Sequence, residues 1–182
     1  MRGRKSWAMA YCGMAAALSV ALMLLGAVIP VLMFIAPAVA SFLIATVCME
    51  CGKTMAWTAY GAVSVLALLF VPDKEEALTF VFLLGYYPLV KPRFERIRPA
   101  LLRGAAKLAL CNGSILLLYG LVLLLVPGGS ISQDLMGTAL AVSLTTLAMG
   151  NVAFLLYDRA LRNMLQVYRI LWQPRLHKML GH

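Results

Sequence analysis

The sequence predicts an all-α fold: a polytopic membrane protein built as a six-transmembrane-helix bundle, with both termini cytoplasmic. Three observations carry that prediction. Of 182 residues, 63% are hydrophobic and 13% charged, with mean hydropathy +0.89. Soluble domains have about 45–50% apolar and about 25% charged residues. The excess apolar surface cannot hide in one soluble core and must face lipid. The apolar residues also come in runs near bilayer length, about 20 residues per span, so the chain holds about five or six with no room for a soluble domain. Finally, the cations are sorted along the chain. Together these exclude a soluble enzyme, a secreted disulfide scaffold and a disordered chain.

The whole of 1–182 reads as a single integral membrane domain. The first span is placed at 7–28 and ends before Pro30, since the residue preceding a proline disfavours helix. Its apolar run exceeds the about 7–15 residues of a signal-peptide h-region, and Ala27-Val28-Ile29 is no small-x-small cleavage site. The second span, 31–51, carries Pro37 inside it, where a neighbour or cavity must satisfy the freed carbonyl. The third, 54–71, gives way to the polar loop Pro72-Asp73-Lys74-Glu75-Glu76. The fourth, 77–90, is short, with Gly85, Pro88 and Pro92 marking its end, so it needs tilt, bilayer thinning or burial among other helices. The fifth, 101–126, stops at Pro127-Gly128-Gly129-Ser130, and the sixth, 135–157, precedes a basic cytoplasmic tail, 158–182.

Net charge is +9, and its placement sets the topology. Arg2, Arg4 and Lys5 precede the first span, Lys91 to Arg103 cluster mid-chain, and Arg159 to Lys178 follow the last. Six spans with the N-terminus in the cytoplasm place 15 of 16 Lys/Arg at the inner side, Lys74 excepted, and four of seven acids outside. That is the positive-inside pattern; five spans would scatter the basic clusters to opposite sides. The expected location is the cell (inner) membrane, with membrane lipids as partners through anionic headgroups. No aromatic-basic motif accompanies the charge, so nucleic acid is not expected.

Nothing in the sequence points to an enzyme. There is no His inside a span, no phosphate-binding Gly loop and no Ser/His or paired-Asp constellation, so no catalytic residues are assigned. Cys48 and Cys51 form a C-x-x-C without the second pair that a structural zinc site needs, so neither metal nor cofactor is expected. Cys12 and Cys111 read as small apolar packers.

Polar groups in lipid face a bundle interior or a cavity. Asn112, Tyr119 and either Ser143 or Thr146 are placed to converge on the outer half of the bundle, with Thr79 early in the fourth span; these five are the candidate substrate-binding residues. Serine and threonine hydroxyls are often satisfied by their own helix, whereas an asparagine amide needs another partner. Asp158 pairs either with Arg162 at i+4 or with Lys107 across helices. The outer turns at Gly26–Pro30 and Pro127–Asp134 are candidate lids. The scarcity of charge in the outer halves points to a small ligand, largely apolar or aromatic.

Gly13, Ala17 and Ala21 recur every four residues along one face of the first helix, which lets another helix approach closely. That helix follows a basic stub, reads Ala15-Ala16-Ala17-Leu18-Ser19 and ends at Ile29-Pro30. With about 180 residues in six spans, the chain resembles the substrate-binding S components of energy-coupling factor (ECF) transporters. The likeness spans the whole chain in architecture and about 25 residues in motif. It carries no signature of a riboflavin, thiamine, biotin or folate binder. The resemblance implies capture of a micronutrient from outside, followed by import with an ECF coupling transmembrane subunit and two ATPase subunits. Docking on the coupling subunit would use Gly13, Ala17 and Ala21. The alternative is a non-transporting scaffold or assembly subunit of the cell envelope, of the MreD-like kind, whose small-residue face holds a permanent partner.

Overall fold

A computed structural model describes residues 2–95, 99–125 and 140–174. Every regular element among them is helical. Three stretches, Ser6–Val28, Lys53–Phe70 and Leu101–Leu118, are long and apolar enough to cross a membrane. Only 11% of the last is buried within the protein, and Leu101, Leu116 and Leu117 point outward. An apolar exterior of this kind belongs in lipid.

Helix α1 (Arg2–Val28) ends where Pro30, lacking an N–H, opens a short 3-10 turn (Pro30–Leu32). Helix α2 (Ile35–Glu50) then starts later than the sequence suggests. The shift puts Pro37 in the first turn, where its missing N–H costs no helical hydrogen bond. No carbonyl is freed inside the helix, contrary to the expectation for Pro37. Cys51 and Gly52 alone join α2 to α3 (Lys53–Phe70). Gly52 has φ +88°, a left-handed backbone that a side chain would strain.

Two caps fix the next turn. The Asp73 carboxylate accepts from the backbone N–H of Glu75 (3.0 Å) and Glu76 (3.4 Å), starting the short α4 (Lys74–Thr79). Lys74 Nζ donates to the carbonyls of Leu68 and Val71, both at 2.9 Å, closing the end of α3. The acidic loop is thus a double helix cap.

The segment expected as one helix over 77–90 is broken. Helix α4 passes into a π-helical turn (Phe80–Leu84), closed by Gly85 N–H donating to Phe80 O at 2.7 Å. After Tyr86 a new helix, α5 (Tyr87–Phe94), begins with Pro88 in its first turn. Gly85 is required there: a Cβ would lie 2.8 Å from Phe80 O and 2.8 Å from the Tyr60 ring. Helix α6 spans Ala100–Leu125. Helix α7 (Leu140–Val167) continues past the expected end at 157 into a π-helical turn (Tyr168–Trp172), so the first part of the basic tail is helical. Residues 135–139 and 175–182 lie outside the described residues, as does the candidate lid at Pro127–Asp134.

Two cores result. Helices α1, α2 and α3 pack through small residues: Ala15, Ala40, Ala56, Ala59 and Ala67 are all buried, with Met23, Ile44 and Val63 filling between them. Small residues let the helix backbones approach closely. The second core is aromatic: Tyr87, Phe154, Cys111 and Leu161 join α5, α6 and α7, and the Tyr87 and Phe154 rings meet edge-on at 4.9 Å.

Candidate functional site

Four features of this frame bear on function. The first is an ionic network where α5, α6 and α7 meet. Asp158 of α7 is 3% exposed, Lys91 of α5 4% and Lys107 of α6 5%. Lys91 Nζ lies 2.8 Å from Asp158 Oδ1 and donates to its backbone carbonyl at 2.9 Å. Lys107 Nζ lies 2.8 Å from Oδ2. The Tyr87 hydroxyl donates to Oδ1 at 2.5 Å. Arg162, one turn along α7 and half-exposed, reaches Oδ2 at 3.4 Å. Both partners read from the sequence, Arg162 and Lys107, are therefore engaged. Lys91 and Tyr87 were missed, because the break at Gly85–Tyr86 is what turns α5 toward α7. The carboxylate oxygens are fully satisfied, which a buried charge requires.

A second polar group lies where α1, α2 and the end of α7 meet. The Tyr11 hydroxyl donates to Thr46 Oγ1 at 3.1 Å and lies 3.2 Å from the Tyr168 hydroxyl, which donates to Glu50 at 3.3 Å. Nearby, Cys48 and Cys51 are free thiols. Cys51 Sγ lies 3.7 Å from Ala8 O.

The third feature is a groove of about 480 Å³ between α3, the π-helical turn and α6. Its walls include Tyr60, Val81, Phe82, Tyr86, Ser114 and Leu117. Tyr60 donates to Val81 O at 2.7 Å, and the Tyr86 and Ser114 hydroxyls lie 2.7 Å apart. The walls are mostly apolar, with their hydroxyls already paired. Such a surface accepts rings or chains and not ions.

Of the candidate substrate-binding residues, neither Asn112 nor Thr79 lines this groove. Asn112 sits on the face of α6 turned away from Leu110, Ser114 and Leu117, half-buried, with Oδ1 buried and without a partner among the described residues. Thr79 is half-buried at the end of α4. Tyr119 lies on α6 and Ser143 and Thr146 on α7, but the side chains of all three lie outside the described residues. Of the two candidates whose side chains are described, Asn112 is the one with an open hydrogen-bonding site.

The fourth feature is the outer surface of α1. Ala15, Ser19, Met23 and Gly26 face the bundle and are buried. Gly13, Ala17 and Ala21 face away from it and are exposed, and a Cβ built on Gly13 meets nothing within 4 Å. Among the described residues, nothing in this chain packs on their four-residue spacing. Comparison with family models, with curated proteins and with solved structures finds no match.

Proposed function

We propose that this chain is the substrate-capture subunit of an ECF-type importer for a small micronutrient. In this reading it is a six-span protein of the inner membrane with both termini in the cytoplasm. The observation that carries the reading is the orientation of α1. Its small residues are split into two sets. Ala15 and Ser19 hold α1 to its own bundle, while Gly13, Ala17 and Ala21 remain uncovered between the larger Met14 and Leu18. A lipid-facing helix gains nothing from small residues at four-residue spacing, whereas a helix that receives a partner does. The partner is then the coupling transmembrane subunit, itself driven by two ATPases.

The ligand side of the proposal rests on Asn112. Its unpartnered Oδ1 is the polar contact. That contact takes one hydrogen-bond donor, and the scarcity of charge in the outer halves suits a ligand that is otherwise small and largely apolar or aromatic.

The test is a gentle-detergent pull-down of the tagged protein from its native membranes, read by proteomics and small-molecule mass spectrometry. Recovery of two ATPases, a coupling subunit and a stoichiometric metabolite is expected. Recovery of wall-synthesis or cell-shape proteins with no metabolite would replace this reading with the MreD-like scaffold.

A further inference from the structure

Glu76 is the second residue of the molecule whose burial demands an explanation. It is 1% exposed, and neither carboxyl oxygen has a hydrogen-bond partner among the described residues. The carboxyl sits in a notch made by Gly26 of α1 and Ala36 of α2. A Cβ built on Gly26 would lie 2.5 Å from Glu76 Oε1 and 2.7 Å from the Ala36 Cβ. The absence of a side chain at Gly26 is therefore what lets α4 settle between α1 and α2. Ala77 and Leu78 are buried beside Glu76, so this face of the short helix is held by apolar contact.

Among the described residues no compensating charge reaches the notch. Helix α1 from Ser19 to Val28, α2 from Ile35 to Thr46, α3 beyond Tyr60 and the π-helical turn carry no titratable side chain. The Tyr60 hydroxyl is engaged with Val81 O. On α4 itself, Lys74 is committed to the end of α3, Glu75 is exposed and Asp73 caps the helix. An ionised carboxylate in such a place costs far more than a neutral acid. Burial, reinforced by the Asp73 charge, pushes the Glu76 carboxyl up to about 7.

We infer that Glu76 is a proton-carrying latch: its neutral acid holds α4 in the notch between Gly26 and Ala36, and its ionisation releases α4 from that seat. The released helix exposes the carboxylate to water, where its ordinary value of 4.5 is restored. Opening is therefore linked to proton loss. Its equilibrium constant rises about tenfold per pH unit between those two values and is level outside them. The ends of α1 and α2 are uncovered as a result. This inference does not depend on the transport reading.

The test is amide hydrogen exchange of the full chain in lipid nanodiscs between pH 4.5 and 8.5, followed over residues 74–84 with Lys53–Phe70 as the internal reference. E76Q, a permanent mimic of the neutral acid, is measured at the same pH values to cancel the intrinsic chemistry of exchange. The expected result is equal protection of the two proteins at the acid end. Wild-type exchange then gains about tenfold per pH unit and levels near pH 7, with E76Q flat. If E76Q does not fold, the wild-type ratio of residues 74–84 to Lys53–Phe70 carries the same profile. G26A adds an independent arm: the filled notch should leave residues 74–84 exchanging fast at every pH. Superimposable pH profiles for wild type and E76Q, or a wild-type ratio that does not change with pH, would overturn the latch. So would an opening set by sodium or potassium concentration at fixed pH, which would make Glu76 a cation site.

Discussion

Asp158 and Glu76 are both almost wholly buried carboxyl groups, at 3% and 1% exposure, on segments that differ in how the burial is compensated. Asp158 meets Lys91, Lys107 and Tyr87 within 2.8 Å. Glu76 meets Gly26 and Ala36 and, among the described residues, no donor. The first arrangement joins three helices through one ionised side chain and fixes how α5, α6 and α7 meet. The second is stable only while the acid is neutral. A buried carboxylate is thus a rivet at one place and a switch at another, and the neighbours alone decide which.

Removing the rivet is the largest perturbation available. Asp158→Asn leaves two buried lysines without their counter-ion, and loss of one partner from a buried pair costs about 3–5 kcal/mol. A large fall in melting temperature in detergent is expected, and a melt unchanged from wild type would mean that water reaches the network. The switch sharpens the contrast through pH. Glu76 is raised in the folded chain from 4.5 to about 7, so the stability tied to its neutral form is complete below 4.5 and is lost as pH rises through 7. Melting temperature should therefore fall across that window in wild type relative to Glu76→Gln, and parallel curves would contradict the assignment.

A smaller effect tests the geometry that brings Lys91 to Asp158. Gly85→Ala places a Cβ 2.8 Å from Phe80 O, and overpacking of that kind costs about 1–3 kcal/mol. It should lower the melting temperature and loosen α5 by hydrogen exchange, whereas a neutral outcome would show that the π-helical turn tolerates a side chain there. The smallest effect belongs to the half-exposed member of the network. Arg162→Ala removes a 3.4 Å contact open to solvent, worth about 0–1 kcal/mol. A loss as large as that of Asp158→Asn would mean that Arg162, and not the two lysines, carries the network.

These contrasts were unequally legible in the sequence. The helices at Ser6–Val28, Lys53–Phe70 and Leu101–Leu118 follow directly from uninterrupted apolar runs. The pairing of Asp158 with Arg162 follows from i+4 spacing, and Lys107 is within reach because both residues fall toward the inner ends of the expected spans 101–126 and 135–157. Lys91 was not legible, since its reach depends on the π-helical turn, and that turn depends on Tyr60 closing on Val81 across the fold. Pro37 was misplaced because the 3-10 turn after Pro30 consumes the residues expected to begin α2. In the sequence Glu76 reads as part of a polar loop. The signal that was there is the apolar pair Ala77-Leu78 directly after it, which turns the start of α4 inward. Its notch at Gly26 lies fifty residues away in sequence, and no local pattern connects the two.

The outward face of α1 is the claim on which the proposed function turns, and one substitution addresses it. Ala17 is exposed and packs against nothing that the fold needs, so Ala17→Trp should leave the melting temperature at the wild-type value. The same variant, pulled down from native membranes beside wild type, should lose the co-purifying coupling subunit and ATPases. Undiminished recovery of those proteins, or a variant that fails to fold, would contradict the assignment of this face to a partner.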